Sequence, residues 1–326
     1  MRGMRVGVLV LGAVSTGAWA QAPAADAVLS GLGFSADEVA QVKAGKLVSR
    51  DSKGATERDL TTSFAFFLKK PPADALKDFK AGVMLKVDPN TLGSGLLTAD
   101  ATVEAFSKLS LEPDQEKRVK KYQGAKPGDA LNLSTEEIAA FQKAADAAAV
   151  EAQVKASLLA RYQAYRAKGL DAIASYDRGG SQCSVTDELK AFMKAHDGLK
   201  KFAPKAWAAM LGYPGSKADG AEHVFRWVHL KAHGTPTLAL VHGMAVPEGD
   251  AFLVLQRQYY VSEGFNCEQA IAALLPVEGG TVVLYANHTS TDQVTGFGGG
   301  AKRSIGTKMM AGEVQGLFEK LQKRAP

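Results

Sequence analysis

The chain has 326 residues, 46% of them hydrophobic and 22% charged, with 33 glycines, 12 prolines and two cysteines. This is ordinary folded-protein composition, which excludes collagen-like, low-complexity and disulfide-dense scaffolds. A net charge of +5 is too small for a nucleic-acid footprint. No uncharged apolar run reaches the roughly 18 residues of a membrane-spanning helix, so an integral membrane protein is not expected.

The first element in chain order is an address. Arg2 and Arg5 precede the apolar run Val6 to Val14, and Ala18-Trp19-Ala20 has the small-x-small pattern that a signal peptidase accepts. The run is too short to cross a bilayer. Residues 1–20 are therefore expected to be a cleaved signal peptide, and the remainder, with a net charge of +3, an exported, periplasmic or secreted protein. Export places Cys183 and Cys267 where disulfides persist. A bridge between them would close a loop of roughly 85 residues, worth about 4–5 kcal/mol by chain entropy, although spacing alone does not bring the two together. A nucleophilic role is disfavoured, because neither cysteine has a histidine or basic residue within two positions.

Ser35-Ala-Asp-Glu38 is a capping box that opens a short helix ending at Gly45. Leu60, Thr62, Phe64, Phe66 and Leu68 alternate as in a half-buried strand, and Pro71-Pro72 ends it and starts a helix carrying Ala75, Leu76 and Phe79. Asn90 to Gly95 reads as loop and Ala105 to Leu111 as another strand. The basic cluster Lys117, Arg118, Lys120 and Lys121 is interleaved with acids, as on a solvated helix face; an anionic surface is the alternative partner. A second capping box, Ser134-Thr-Glu-Glu137, opens the longest helical pattern, which runs to Gly169. Thr186 to Leu211 is a further helical block that Pro204 breaks.

The last third changes period. Val224–Leu230, Thr237–Val246, Phe252–Val261, Gln269–Leu275 and Thr281–Asn287 are apolar, β-branched runs separated by turn residues, which predicts an antiparallel meander. After Gly296–Gly300 a helical stripe follows: Ile305, Met309, Met310, Val314, Leu317, Phe318 and Leu321. The fold class expected is α+β, a curved antiparallel sheet gripping a long C-terminal helix, with an inserted helical layer. The division expected is 21–133 for the N-terminal part of the body, 134–215 for the helical insertion, and 216–326 for the meander and last helix. This element order resembles the helix-grip arrangement of the START-like superfamily, which implies a cavity between sheet and helix.

Motifs for catalysis are sparse. Four of the six histidines fall within 20 residues, yet His229 and His233 stand about 13 Å apart if the segment is a strand. A turn at His233-Gly234 sets His242 opposite Phe225. No metal or other cofactor is expected. Gly296-Phe-Gly-Gly-Gly-Ala-Lys302-Arg303-Ser304 lacks the Gly-Lys-Ser/Thr core of a phosphate loop, and no Gly-x-Ser-x-Gly elbow occurs. Gly312-x-x-x-Gly316 bares one face of the last helix, either for packing on the sheet or to leave room for a bound molecule.

Two segments resemble a family of secreted bacterial proteins of uncharacterised function. One is Gln258-Tyr-Tyr260-Val-Ser262-Glu-Gly-Phe265-Asn266. The other is Tyr285-Ala-Asn287-His-Thr-Ser-Thr-Asp292, followed by Gly296–Gly299 and Arg303. Lys126-Pro127-Gly128-Asp129 is similar to a turn that the family closes with two cysteines, where this chain has Ala125 and Ala130. Glu263 stands in place of a family histidine, and His288 and Ser290 in place of two arginines. The resemblance implies Tyr260, Asn287, Asp292 and Arg303 as site residues. An ion pair between Asp292 and Arg303 that clamps the Gly-rich turn would be a structural role for both.

The first functional expectation is binding of a small apolar or amphipathic molecule between meander and last helix, with Tyr260, Glu263, Tyr285, Asn287, Asp292, Arg303, Met309 and Gly312 as the candidate contacts. The second is an envelope-acting hydrolase or lyase using Glu263 or Asp292 as base and Arg303 for an anion. The third is an envelope interaction protein whose helical block, Glu136 to Leu211, exposes an apolar patch.

Overall fold

The computed structural model describes residues 24–324 except Asp51, Pro113 and His233. Helices α1 (Ala25–Gly31) and α2 (Ala36–Lys43) lead into strands β1 (Val48–Arg50) and β2 (Asp59–Leu68). Then come α3 (Pro72–Lys80), α4 (Val83–Val87), β3 (Thr91–Leu96) and α5 (Gln115–Gln123). The helical middle holds α6 (Thr135–Gln142), α7 (Ala147–Lys168), the small hairpin β4 (Tyr176–Asp177) and β5 (Gln182–Cys183), α8 (Val185–Ala195), α9 (Asp197–Lys200) and α10 (Pro204–Gly212). The meander is β6 (Glu222–Ala232), β7 (Thr235–Glu248), β8 (Ala251–Val261), β9 (Cys267–Val277) and β10 (Gly280–Ser290), and α11 (Gly299–Arg324) follows it. The expected signal segment lies outside the described residues, as does the Leu321 side chain of the last stripe.

The fold is α+β. Eight strands form one open antiparallel sheet in the order β1-β2-β10-β9-β8-β7-β6-β3. The meander is thus continuous, and β2, from early in the chain, adds to its last strand. Phe225 pairs with His242, in register with the pairing of Ala232 and Thr235, and their rings stack at 4.3 Å.

Both faces of the sheet are covered. One carries Met244, Leu255, Ile271 and Leu284 against α1, α2 and α10, and Phe225, Trp227 and Leu240 against the helices of the middle segment. The other carries Phe64, Phe66, Val254, Leu274 and Val283 against α3 and α11. There Phe318 of α11 meets the rings of Phe66 and Tyr285 at 4.6 and 4.8 Å. Ile305 and Met309, from the same stripe, stay exposed. Alternation along β8 breaks once. Leu240 pairs with Tyr260 and Val241 with Gln258, so Tyr259 is an extra residue in a bulge, and Tyr259 and Tyr260 both join the core of the helical layer.

Three elements depart from the sequence reading. The helical pattern expected to run from the Ser134 capping box to Gly169 is two helices: the box opens only α6, and Asp146, accepting from the Ala149 amide, caps the long α7. The expected strand at 105–111 is a 3-10 turn, Val103–Phe106, followed by irregular chain. Its Phe106, Leu109 and Leu111 enter the core without a strand partner. The expected loop at 90–95 is the edge strand β3. Its glycines serve packing: a Cβ on Gly95 would stand 2.3 Å from the Trp227 indole nitrogen, so the edge closes only over a bare backbone.

Candidate functional site

The α3–α4 face of the sheet carries a groove. Period two turns Val224, Arg226, Val228 and Leu230 of β6 to the same side, joined by Val241 and Gly243 of β7 and Gln256 and Gln258 of β8. Phe79, Met84 and Leu85 from α3 and α4 form the roof. The inner pocket holds about 60 Å³, room for about four to six water-sized groups, so a longer chain extends from it into the open part of the groove. A second, more open pocket of about 250 Å³ adjoins it along β3, lined by Lys86, Thr91 and Ser94, and Gly82, Leu85 and Arg226 belong to both.

Arg226 is the cation shared by the two pockets. Its Nη2 donates to the Lys80 carbonyl at 2.5 Å, and among the described residues no carboxylate lies within ion-pair distance of it. Burial pulls its guanidinium below the ordinary arginine value. Gly82, at φ +67°, turns the chain from α3 into α4 in a conformation that favours glycine, and its Cα side lies in ordinary contact range of the Arg226 guanidinium. The result is a part-buried positive charge beside an apolar pocket.

A polar row continues from Gln258 across the sheet. Gln258 Nε2 donates to Glu268 Oε1 at 2.9 Å, and Thr289 of β10 lies directly opposite Glu268. Asn287 Nδ2 donates to the Tyr285 hydroxyl at 3.1 Å. Burial raises the Glu268 carboxyl above its usual range, outweighing hydrogen bonds from Gln258, Asn287 and Thr289 that act the other way. Burial, with the Glu268 charge added, also raises the Tyr285 phenol. Gln258 is 7% exposed, and its Oε1 is buried with no hydrogen-bond partner.

Against protein-family models and curated proteins the chain has no match.

Of the eight contacts expected from sequence, Tyr285 and Asn287 lie on the groove side of the sheet. The others are placed differently. Tyr260 is buried on the opposite face, under the Arg161 guanidinium at 4.4 Å, because the bulge turns it there. Glu263 forms an ion pair with Lys121. Asp292 is held by Arg58 Nε at 2.7 Å and Arg178 Nε at 2.9 Å; burial pushes its carboxyl up, but the two guanidinium groups outweigh this and hold it low. Arg303 donates to the Glu57 carbonyl. The clamp between Asp292 and Arg303 is therefore not formed, and Glu263, Asp292 and Arg303 do not converge on one cavity as an acid–base site requires. Met309 is exposed, and a Cβ on Gly312 would meet open space. The pocket expected beneath α11 lies instead beneath α3 and α4.

Cys183 and Cys267 are buried and unbonded. Burial pushes the Cys183 thiol up to about 11 and raises that of Cys267 as well, so neither is a ready nucleophile. Among the described residues, no three His, Cys, Asp or Glu side chains meet to hold a metal ion. His242 instead bonds His223 at 3.0 Å and Tyr165 at 2.9 Å. Of the helical block from Glu136 to Leu211, Leu211 alone is an exposed large apolar residue among those described, which forms no patch.

Sequence reasoning passed over Arg226, Gln256, Gln258 and Glu268. Their signal was present as polar residues at alternate positions of apolar strands, Val224-x-Arg226-x-Val228 and Gln256-x-Gln258. Such a residue faces inward and requires a partner or a ligand.

Proposed function

We propose that this protein binds a short amphipathic anion, its apolar part beneath α3 and α4 and its charged group on Arg226. The observation that carries this reading is the Arg226 guanidinium, without a carboxylate partner among the described residues, lining both halves of the groove. A part-buried cation of that kind, facing no carboxylate among the described residues, is completed by a carboxylate or phosphate, to which arginine offers paired donors. The pocket volume limits the apolar part to a short chain. Calorimetric titration with octanoate is expected to show saturable binding, weakened about tenfold or more in Arg226→Met, which keeps an apolar side chain and removes the charge. No saturation, or equal binding by the variant, sinks the proposal.

Export is part of the same reading and rests on residues 1–20, with Arg2 and Arg5 ahead of the apolar run. Expressed in a Gram-negative bacterium, the chain is expected in the periplasmic fraction, shortened by about 20 residues at its N-terminus. Full-length protein retained in the cytoplasm would refute export and leave the binding reading standing.

A further inference from the structure

We infer that the ligand carries a hydrogen-bond donor at the end remote from its anionic group, received by the side-chain oxygen of Gln258. This inference rests on the binding site proposed above and adds the chemistry at its inner end. An amide side chain can turn either edge to a pocket, and its neighbours decide which. Here the neighbour is Glu268, whose carboxylate accepts from Gln258 Nε2 at 2.9 Å. With the NH₂ edge engaged there, the oxygen edge is the one left for the pocket. That oxygen is buried and unpartnered, and Gln258 lines the pocket. Glu268 itself is not a lining residue, so it acts through Gln258 as a positioning residue.

The sheet fixes the spacing. Arg226 pairs with Val241, and Val241 with Gln258, so the cation and the acceptor stand two strands apart, about 10 Å between their backbones. An extended chain of about eight carbons covers that distance, and the inner pocket between the two groups is apolar. The class of ligand is therefore a short ω-hydroxy or ω-amido acid, or the corresponding phosphate, in preference to a plain acyl chain.

Three probes of nearly equal length separate the possibilities: octanoate, 8-hydroxyoctanoate and 8-methoxyoctanoate, each titrated into the full chain by calorimetry. The hydroxy acid is expected to bind about tenfold more tightly than octanoate. The methoxy acid, which has an oxygen but no proton to give, gains nothing. Gln258→Met should remove the preference for the hydroxy acid over octanoate. Comparable affinity for all three probes in the unaltered protein overturns the inference and leaves the anion site intact. A methoxy acid that matches the hydroxy acid overturns it too, since the pocket would then be offering a donor. Failure of every probe to bind removes the underlying reading as well.

Discussion

Lowering the pH from 7 to 4 is expected to reduce the unfolding free energy by several kcal/mol, with His196 as a principal cause. Burial, and secondarily the charge on His288, pull His196 down to about 3 from 6.5. His229, where burial acts first and Arg118 second, is held at about 4, and His242 is lowered in the same direction. These rings are neutral in the folded protein and take up protons near 6.5 once unfolded. The unfolded state therefore binds more protons in acid. Stability from this source is full above about pH 7 and is lost as the pH falls through 6.5 toward 3–4. For His196 the gap is worth up to roughly 4–5 kcal/mol, less the share screened by solvent at its partly exposed edge. Urea unfolding midpoints between pH 4 and 8 measure the slope, and His196→Leu should flatten it. A variant that keeps the full acid slope would show that His196 is not among its causes.

The second large effect is expected at Glu137. This residue closes the capping box of α6, accepting from the Ser134 amide at 2.8 Å. It also accepts from Arg161 Nε at 2.7 Å. Arg161 is 8% exposed and stacks on Tyr260 at 4.4 Å. Glu137→Ala removes a cap and strands a buried cation in one step, a loss of about 3–5 kcal/mol in chemical denaturation. Glu137→Gln, which can preserve the cap but not the charge, should fall between. The double variant with Arg161→Met should recover part of the loss, because the charge left without a partner is then gone. A Glu137→Ala protein as stable as the parent would mean that solvent reaches Arg161 despite its surroundings.

Much of this architecture was legible in the sequence because it is written in local periods. The boxes at Ser35 and Ser134 form as read, with Glu38 and Glu137 reaching back to the cap amides. The five apolar runs become five adjacent strands, and Phe225 pairs with His242 as read. What was not legible depends on partners distant in the chain. Gly93 and Gly95 look like loop until the indole of Trp227 lies over them. The stripe of α11 is real, but Phe318 takes the core position while Ile305 and Met309 do not. For the site, neighbourhood in sequence misled: Tyr285 and Asn287 fall on the groove side, whereas Asp292 is drawn off by Arg58 and Arg178, residues 234 and 114 positions away. Arg226 was hidden because the residues that roof its pocket come from 79–85, far upstream of β6.

The extra residue at Tyr259 gives the two halves of β8 separate allegiances. Gln256 and Gln258, before it, belong to the floor of the groove, and Tyr259 and Tyr260, after it, belong to the opposite layer. Without that reset, strict alternation would send Tyr260 to the groove side with Gln258. The two ends of one strand are thereby free to diverge independently: ligand preference can be retuned at one end while the anchorage of the helices is conserved at the other.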